Sequence, residues 1–412
     1  MGLNDTASAE RVHIGFFGVR NAGKSSVVNA VTGQELCVVS DVRGTTTDPV
    51  KKAMELLPLG PVVIIDTPGI DDEGELGQKR VERARRMLAS CDIAVLVVDG
   101  GRGLTKADRE LIGQFRARQV PFAIAWNKCD VPQAREGLAS LAASDADLAE
   151  HAVAVSAQTG AGVDELKERL AHMATPSARE RCVVADLVDP GTAVVLVCPI
   201  DASAPKGRLI MPQQLTIRDL LDHGCLPVVC RETELECALG SLVCPPALVV
   251  TDSQVFGQVA RTVPEQVPLT SFSILMLRYK ADLVEAVRGA AALDRLHEGS
   301  RVLISEGCTH HRQCEDIGTV KMPRWLQEHA GARLDFAFTS GIEFPQAQDL
   351  SAFDAVVHCG GCMLNAREMR SRQAAAAEAG VPMTNYGVAI AHMHGILRRS
   401  LAPFPEALAA LG

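Results

Sequence analysis

The sequence predicts an α/β protein in which a larger N-terminal domain with a mostly parallel sheet precedes two smaller α/β domains. Three observations support this prediction. Short apolar runs alternate with amphipathic stretches along the chain, which is typical of strands connected by helices. The length of 412 residues is enough for two to four domains at about 150 residues each. Two segments with proline and small polar residues interrupt the alternation and predict linkers.

The bulk composition argues against several classes of protein. Hydrophobic residues make up 47% and charged residues 22%, which is ordinary for a protein with packed cores. The net charge of −9 and the aromatic content of 4% argue against nucleic-acid binding, which needs basic surface and stacking rings. No apolar run approaches the ~20 residues of a membrane span, and the N-terminus lacks a secretion-signal pattern. We therefore expect a cytoplasmic protein with no nucleic-acid or membrane partner.

The N-terminal domain, residues 1–173, alternates strand-like runs with amphipathic segments. This alternation predicts a mostly parallel sheet with helices on both faces. A segment with a proline and small polar residues, 173–181, predicts the first linker. The predicted strands are Val12–Gly18, Val62–Asp66, Ile93–Asp99, Phe122–Trp126 and Ala152–Val155.

The second predicted domain spans residues 182–266. It contains the strand-like runs 193–197 and 247–251 and a helical pattern at 214–224. No cofactor signature occurs among them, so we expect this domain to mediate assembly. A second linker is predicted at 264–273.

The third predicted domain spans residues 274–412 and opens with a helix, Ile274–Leu293. Its alternation of runs predicts a small parallel sheet. Helices are expected after the last two strands, together with a weaker one at 319–330. The predicted strands are 302–305, Leu334–Phe338, Ala355–His358 and Pro382–Asn385.

A phosphate-binding pattern follows the first predicted strand. The stretch GVRNAGKSS fits G-x-x-x-x-G-K-[ST], in which glycines let backbone N–H groups approach phosphates. Lys24 would reach the β and γ oxygens, and Ser25 would ligate magnesium. We expect the nucleotide to contact Gly18, Asn21, Ala22, Gly23, Lys24, Ser25 and Ser26.

Two later motifs identify the nucleotide as a guanine nucleotide. DTPG, at 66–69, ends an apolar strand, so that Asp66 would hold magnesium through water and the Gly69 N–H would meet the γ-phosphate. NKCD, at 127–130, follows another strand. Its Asp130 carboxylate would accept two hydrogen bonds from the guanine edge, a donor pair that adenine lacks.

The other predicted residues of the nucleotide site come from the same NKCD motif and from two further segments. Asn127 would contact the base, and the Lys128 stem would lie against the ring. SAQTG, at 156–160, fits the last base-contacting loop through Ser156 and Ala157. The polar segment 40–50 would act as a mobile switch.

A threonine hydroxyl from this switch would complete the magnesium shell. Thr46 is the preferred candidate, and Thr45 is the neighbouring alternative. We therefore expect Lys24, Thr46, Asp66 and Gly69 to act on the reacting phosphate.

These motifs, over about 160 residues, resemble those of the TrmE–Era-like GTPases. The resemblance implies a P-loop GTPase domain that hydrolyses GTP with Mg²⁺. As in that group, the residue after DTPG is apolar, Ile70, and no glutamine is in place to orient water. Members with asparagine at the position of Asn21 often use K⁺, so the resemblance implies a potassium ligand there and slow, potassium-activated turnover.

A thiolate pattern lies in the third domain. The chain has 13 cysteines, and cytosolic disulfides are rare, so cysteines at ligand spacing deserve another explanation. Cys308 follows one predicted strand, and Cys359 and Cys362, in HCGGC, follow another. Because carboxyl ends of parallel strands share one edge, all three should converge. We also expect Cys362 to open a helix, whose N-terminus favours thiolates.

Three kinds of site fit the converging cysteines. The first is an iron–sulfur cluster with three thiolate ligands and one exchangeable position. The second is zinc held by three cysteines and a histidine, His310 or His358. The third is a redox-active pair, Cys359 and Cys362. Each histidine could instead be an outer hydrogen-bonding partner of the metal ligands.

The pattern Cys-x-His, 47 residues, His-Cys-x-x-Cys closely resembles the HydF family of GTPases, which mature FeFe hydrogenases. The segment 186–214 also matches that family's middle region. The resemblance implies a 4Fe–4S cluster on Cys308, Cys359 and Cys362 and a dimerising middle domain, hence a homodimer. It further implies a scaffold that receives a diiron precursor from radical-SAM enzymes and delivers it to apo FeFe hydrogenase.

The sequence leaves the fourth iron ligand open. The candidates are His310, His358, Glu306 and Asp189. Cys314 lies close enough to consider, but it fits no motif position of the family. Four other cysteines are expected only to pack in the core: Cys225, Cys230, Cys237 and Cys244.

The sequence also leaves two alternative functions open. One is an RNA- or ribosome-linked GTPase with a structural zinc domain, and the other is a thiol oxidoreductase.

Overall fold

The computed structural model describes residues 8–34, 50–67, 87–174, 182–200, 209–307, 317–341 and 343–412. The chain divides into two compact units, Met1–Arg179 and Glu180–Gly412. Helices alternate with mostly parallel strands in both units, which confirms the predicted α/β class. No helix among the described residues combines the length and apolarity needed to cross a bilayer.

In its described residues, the first unit forms a six-stranded sheet in the order β2-β3-β1-β4-β5-β6. Only the pair β2–β3 is antiparallel. The strands are β1 Val12–Phe17, β2 Val50–Leu56, β3 Gly60–Asp66, β4 Ile93–Asp99, β5 Phe122–Asn127 and β6 Ala152–Ala154. The helices are α1 Lys24–Thr32, α2 Lys106–Ala117, α3 Pro132–Ser144, α4 Ala146–Glu150 and α5 Val163–Met173.

The five predicted strands of this unit agree with the observed ones to within about two residues. Their side chains are buried on both faces of the sheet, as the continuous apolar runs require. Strand β2 is absent from the prediction, because its sequence VKKAMEL exposes Lys51, Lys52 and Glu55 at the edge of the sheet. An edge strand with polar residues carries little apolar signal.

In its described residues, the second unit contains two parallel four-stranded sheets, ordered β10-β9-β7-β8 and β12-β11-β13-β14. The strands are β7 Ala193–Val197, β8 Leu226–Cys230, β9 Leu248–Thr251, β10 Leu269–Ser271, β11 Arg301–Glu306, β12 Asp335–Ser340, β13 Ala355–His358 and β14 Met383–Asn385. The helices are α6 Met211–Asp222, α7 Leu235–Gly240, α8 Phe256–Thr262, α9 Phe272–Lys280, α10 Leu283–Ala291, α11 Met322–Ala330, α12 Ala347–Leu350, α13 Ala366–Glu378, α14 Tyr386–Met393, α15 Leu397–Ser400 and α16 Pro405–Ala409.

Helices α9 and α10 pack against the small sheet that contains β7 and β9. One cluster of buried residues joins Val194 and Leu248 of that sheet to Leu275 of α9 and Val287 of α10. Helix α10 also packs against β14 of the other small sheet, through Gly289. Both small sheets belong to the compact unit Glu180–Gly412. The division into domains 1–173, 182–266 and 274–412 stays a prediction.

The predicted linker 264–273 is wrong in its second half. Residues Leu269–Ser271 form β10, which pairs in parallel with β9, and α9 begins at Phe272. Three residues are too few to show a strand period, although all three are buried. The other predicted linker, 173–181, falls almost entirely outside the described residues.

The predicted helix Ile274–Leu293 is two helices, α9 and α10. Ala281 has an extended backbone, and the Asp282 carboxylate then accepts a hydrogen bond from the Glu285 N–H at 3.1 Å. Aspartate at this position caps the N-terminus of a new helix. The continuous apolar pattern across the break concealed it from the sequence analysis.

Candidate functional site

The phosphate-binding loop joins β1 to α1. Asn21 and Gly23 both have left-handed backbone conformations, with φ of 62° and 84°. A Cβ atom at position 23 would overlap the side-chain nitrogen of Asn127, so glycine is required there. Within the described part of the chain, no side chain caps the N-terminus of α1. Its first backbone N–H groups and the helix dipole therefore favour a phosphate. Ser25 and Ser26 lie half-buried in the first helical turn.

An ion pair joins the loop to the next strand. The Lys24 ammonium contacts the Asp66 carboxylate, and both side chains are largely buried. The neighbouring Thr67 hydroxyl donates a hydrogen bond to the carbonyl oxygen of Phe16 at 2.7 Å and ties the end of β3 to β1. The two predicted phosphate- and magnesium-binding side chains therefore meet at the carboxyl edge of the sheet. Thr45, Thr46 and Gly69 lie outside the described residues.

Asn127 connects two loops of the nucleotide site. Its amide nitrogen donates to the carbonyl oxygen of Ala22 at 3.0 Å, and its amide oxygen accepts from the Ala157 N–H at 3.1 Å. The side chain is almost fully buried. The observed contacts of this residue fix the phosphate-binding loop against the SAQTG loop.

Lys128 and Asp130 present polar groups on the same edge. The Lys128 ammonium donates to Asp99 at 2.6 Å and to the carbonyl oxygen of Asn21 at 3.3 Å. The Ser156 hydroxyl donates to Asp130 at 2.6 Å, and this hydrogen bond lowers the pKa of the exposed carboxylate. Asp130 is thus anionic and oriented, as a guanine acceptor must be. Asp99 was missed, although its position at the end of an apolar strand was a signal.

The cysteine motif lies at the carboxyl edge of the sheet β12-β11-β13-β14, which is called the third sheet below. Strands β11 and β13 are direct neighbours, and the Cys359 N–H donates to the Ser305 carbonyl oxygen at 2.8 Å. The Cys359 sulfur accepts hydrogen bonds from the N–H groups of Gly307, at 3.1 Å, and Gly361, at 3.4 Å. Gly307 is the residue before Cys308. Cys308, His310 and Cys314 lie outside the described residues.

The turn between the two described cysteines depends on glycine. Gly361 has φ of 59°, and a Cβ atom there would lie 2.5 Å from the Met369 sulfur of α13. The expectation that Cys362 opens a helix is wrong. Helix α13 begins at Ala366, and Asn365 caps it by accepting from the Glu368 N–H at 3.0 Å. The asparagine takes the N-cap position because its side chain satisfies an unpaired helical N–H.

A buried lysine lies beneath this turn. The Lys280 ammonium, at the end of α9, donates to the carbonyl oxygens of Gly361 at 3.2 Å, Cys362 at 3.2 Å and Leu364 at 2.8 Å. Its side chain is 1% exposed. A buried positive charge next to thiolates stabilises their anionic form. The sequence analysis missed Lys280, which stands at the end of an apolar helix.

His358 is engaged through both ring nitrogens. Nδ1 donates to the Cys359 carbonyl oxygen at 2.7 Å, and Nε2 accepts from the Arg372 guanidinium at 3.0 Å. A carbonyl oxygen only accepts and a guanidinium only donates, so the imidazole is neutral. Arg372 is itself buried and pairs with Glu368 at 2.9 Å. Of the two roles predicted for His358, these contacts favour the outer hydrogen-bonding partner.

Glu306 and Asp189, the two other described candidates for the fourth iron ligand, lie at opposite edges of their respective sheets. Glu306 ends β11, two residues before Cys308, and its carboxylate accepts from the Tyr386 hydroxyl at 3.3 Å. Asp189 precedes β7 and therefore lies at the amino edge of its sheet. The residues that approach the cysteine turn from that sheet, such as Ser273 near Gly360, follow its carboxyl edge. Within one chain, this topology separates Asp189 from the cysteine motif.

The middle cysteines are not uniformly core residues. Cys225 is buried and Cys230 half-buried, but Cys237 and Cys244 are exposed, so the core explanation is wrong for the last two. Among the described residues, none of these four belongs to a cluster of metal-ligating side chains. Burial could not be predicted for the last two because they lie in short helical and turn segments without a clear apolar period.

The fold and the two sites define a P-loop GTPase domain linked to α/β domains with a thiolate motif. A family model described as the hydrogen maturase F dimerization domain matches residues 183–281, and one described as its tetramerization domain matches 284–403. Together they match more than half of the chain. A model described as a 50S ribosome-binding GTPase matches residues 13–128. The chain belongs to the hydrogen maturase F family, which confirms the resemblance, and it carries oligomerisation domains.

Other relatives resemble the GTPase domain alone. The tRNA modification GTPase MnmE of Laribacter hongkongensis is 34% identical over 162 residues, covering 39% of this chain and 34% of that protein. GTPase Der of Maridesulfovibrio salexigens is 41% identical over 128 residues, covering 30% and 28%. The chain thus spans about a third of the length of these relatives. The G domain of the T. maritima FeoB iron transporter covers 40% of this chain and 99% of its own, at 22% identity and a TM-score of 0.30.

Proposed function

We propose that this chain is a GTP-hydrolysing scaffold that binds a 4Fe–4S cluster and carries a diiron precursor to apo FeFe hydrogenase. Membership of the hydrogen maturase F family supports a role in hydrogenase maturation. One observation supports the cluster above the others. The sulfur of Cys359 is hydrogen-bonded to the N–H of Gly307, the residue immediately before Cys308.

The residues present fit an iron–sulfur cluster. Cys308, Cys359 and Cys362 would hold it, and the cluster would supply an exchangeable iron position to which cargo binds. The backbone N–H groups directed at the Cys359 sulfur would stabilise the thiolates and the negative cluster, as would the buried Lys280 ammonium, which contacts the Cys362 carbonyl oxygen. His358 would hold the turn from outside through the Cys359 carbonyl oxygen.

The nucleotide domain would act as the switch of this scaffold. The Lys24–Asp66 pair and the Ser25 hydroxyl support GTP and Mg²⁺ binding, and the segment with Thr46 would complete the magnesium shell. Asn21 would bind K⁺ from its exposed position in the phosphate-binding loop. GTP hydrolysis would then change the affinity for partner proteins, without itself driving chemistry on the cluster.

The proposed partners follow from the cargo. Radical-SAM enzymes would supply the diiron precursor, and apo FeFe hydrogenase would receive it. The two matched oligomerisation domains support a homodimer or a larger assembly of this chain.

Electron paramagnetic resonance on the anaerobically reconstituted and reduced full chain tests the cluster. We expect one 4Fe–4S signal per chain, lost in Cys308→Ser, Cys359→Ser and Cys362→Ser. The exposed Cys237 provides a matched control, and Cys237→Ser should keep the signal. A colourless protein with one zinc per chain, or a cluster that survives Cys308→Ser, would overturn the assignment.

Three further measurements separate the proposed carrier from the alternatives. Incubation of the loaded wild-type chain with apo FeFe hydrogenase should activate the hydrogenase, whereas the cluster-free cysteine variants should not. Co-sedimentation with ribosomes would instead support a ribosome-linked GTPase. Full activity of Cys308→Ser in a thiol–disulfide exchange assay would support an oxidoreductase that needs only Cys359 and Cys362.

A further inference from the structure

A second cluster of metal-ligating side chains lies in the Glu180–Gly412 unit, apart from the cysteine motif. Asp294 belongs to the short 3₁₀ helix that precedes β11, and His329 and His392 lie near the C-terminal ends of α11 and α14. Helices that follow parallel strands return toward the amino edge of the sheet. The three residues therefore gather at the edge opposite to Cys359.

The geometry of this cluster is convergent. The Nε2 atoms of His329 and His392 lie 2.7 Å and 2.8 Å from the same oxygen, Oδ1 of Asp294. All three ligand atoms lie within 4.8 Å of one another. The two imidazole rings meet edge to face, with their centroids 5.6 Å apart. Three segments that are far apart in the sequence thus bring two imidazole nitrogens and one carboxylate oxygen close together.

The charges at this point favour a cation. Among the described residues, no lysine or arginine forms an ion pair with Asp294, and its recorded partners are the two imidazoles. An aspartate carboxylate is ordinarily anionic at neutral pH, and more than half of the Asp294 side chain remains accessible to solvent.

We propose that Asp294, His329 and His392 bind a divalent first-row transition metal ion of the zinc or ferrous type. Two imidazoles and one carboxylate suit these ions, whereas Mg²⁺ and Ca²⁺ prefer oxygen ligands. Ligand atoms about 2.1 Å from such an ion would lie about 3.0 Å apart at octahedral angles and about 3.4 Å apart at tetrahedral angles. The two His–Asp separations of 2.7 Å and 2.8 Å therefore need to widen by only a few tenths of an ångström, or about 0.6 Å, respectively, to admit it. Water would complete the coordination on the exposed side of Asp294.

A metal ion bound by these three residues would cross-link separate segments of the fold. The ion would join the 3₁₀ helix before β11 to α11 and α14, three segments that the sequence separates by up to 98 residues. Binding to the folded chain alone stabilises it by mass action. The competing explanation is an aspartate that accepts two N–H hydrogen bonds and holds no metal.

Cobalt titration of the full-length chain tests the site. The background should be Cys308→Ser/Cys359→Ser/Cys362→Ser, so that the proposed cluster ligands cannot take the metal. We expect one Co²⁺ per chain with ligand-field absorption and without the intense sulfur-to-cobalt charge-transfer band. Equilibrium dialysis with Zn²⁺ should give the same stoichiometry.

Variants assign the metal to its ligands. In this background, His392→Gln and Asp294→Asn should weaken Co²⁺ binding by more than the ~10–100-fold typical of a lost outer-shell contact. His394→Gln is the matched control, because that ring packs against Trp325 outside the cluster and should leave binding unchanged. Circular dichroism and the GTPase rate should show that each variant is folded.

Two outcomes would overturn the proposal. One is a folded background protein that binds no Co²⁺, or binds it equally well with His392→Gln. The other is loss of binding in His223→Gln instead, since Cys182, Asp219 and His223 form a separate group of ligand atoms. The sulfur charge-transfer band would accompany that second outcome. Both outcomes leave the proposed scaffold function untouched, because neither concerns the cysteine motif of the third sheet.

Discussion

The ammonium group of Lys280 donates a hydrogen bond to the carbonyl oxygen of Gly361 at 3.2 Å. It makes two more such bonds, to the carbonyl oxygens of Cys362 and Leu364. One buried side chain therefore carries the positive charge and the hydrogen bonds that shape the cysteine turn. The turn is therefore held by a side chain from the interior of the protein.

Replacement of Lys280 by methionine should lower the reduction potential of the reconstituted cluster. The substitution keeps the bulk of the side chain but removes a buried positive charge. Because a positive charge stabilises the more negative reduced cluster, its removal makes reduction less favourable. We expect a shift of several tens of millivolts, on the order of the 59 mV that equals a tenfold change for one electron. A redox titration followed by paramagnetic resonance measures it. Lys280→Arg, which retains the charge, should shift the potential less, and equal potentials in all three proteins would contradict the role.

Replacement of Asp130 by asparagine should weaken GTP binding. Hydrogen bonds to a charged group are worth about 1.5–3 kcal/mol, which corresponds to roughly 10- to 150-fold in affinity. Because the amide offers a donor, xanthine nucleotides should bind better than to the wild type. Fluorescence titration with labelled nucleotides measures both affinities. Asp147→Asn, at an exposed ion pair with Arg116, is the control. Unchanged GTP affinity would remove the base-recognition assignment.

Replacement of Ser156 by alanine should change the pH dependence of GTP binding. The hydrogen bond from Ser156 lowers the pKa of Asp130, so its loss raises that pKa toward the ordinary value of about 3.9. The Asp130 carboxylate contributes to GTP affinity while it is ionised, and it loses this contribution as the pH falls through its pKa. A higher pKa therefore means that the contribution is lost at a higher pH. The acid limb of GTP affinity should therefore move to higher pH. Superimposable profiles of the two proteins would argue against this hydrogen bond.

Replacement of Gly361 by alanine should reduce cluster occupancy. The new methyl group meets the Met369 sulfur and adds about 1–2 kcal/mol of backbone strain at positive φ. Gly380→Ala is a matched control, because Gly380 also has positive φ but no heavy atom within 4 Å of the built Cβ. Iron and sulfide analysis after reconstitution compares the two. If the contact with the Met369 sulfur adds to the strain, the additional substitution Met369→Ala should partly restore cluster occupancy in Gly361→Ala. Equal losses of occupancy in Gly361→Ala and Gly380→Ala would assign the effect to backbone strain alone.

Replacement of Asn21 by glycine should abolish stimulation of GTP hydrolysis by potassium. Glycine tolerates the left-handed backbone at φ of 62° and removes the whole side chain, including the oxygen that would bind K⁺. Steady-state rates in KCl and NaCl at equal ionic strength provide the comparison. The wild type should be faster in KCl, and the variant should show the same slow rate in both salts. Equal wild-type rates in the two salts would exclude the potassium role.

Strands buried on both faces were predictable from the sequence because their apolar runs are continuous, as in Ile93–Asp99. The nucleotide motifs were predictable because each follows such a strand. Strands β8 and β10 were not, since one is half-exposed and the other has three residues. Short segments gain their structure from the neighbours with which they pair, and the sequence window does not contain those neighbours.

The candidate cluster site was predictable only in part for the same reason. The cysteines share a motif that local spacing reveals. Lys280 reaches that motif across 81 residues of sequence, and its role is created by the packing of α9 against the turn. The two uses of Asn127 likewise depend on the meeting of loops that precede and follow it by 105 and 30 residues.

Helix α9 begins where β10 of the middle sheet ends and finishes at Lys280 under the cysteine turn. Nine residues of helix measure about 14 Å and behave as a stiff rod. Strand β10 and helix α9 both lie within residues 183–281, which match the dimerization-domain model. A displacement of the Leu269–Ser271 strand on subunit assembly would thus reach the turn that carries Cys359 and Cys362. In the proposed scaffold, assembly and cargo binding would be coupled in this way.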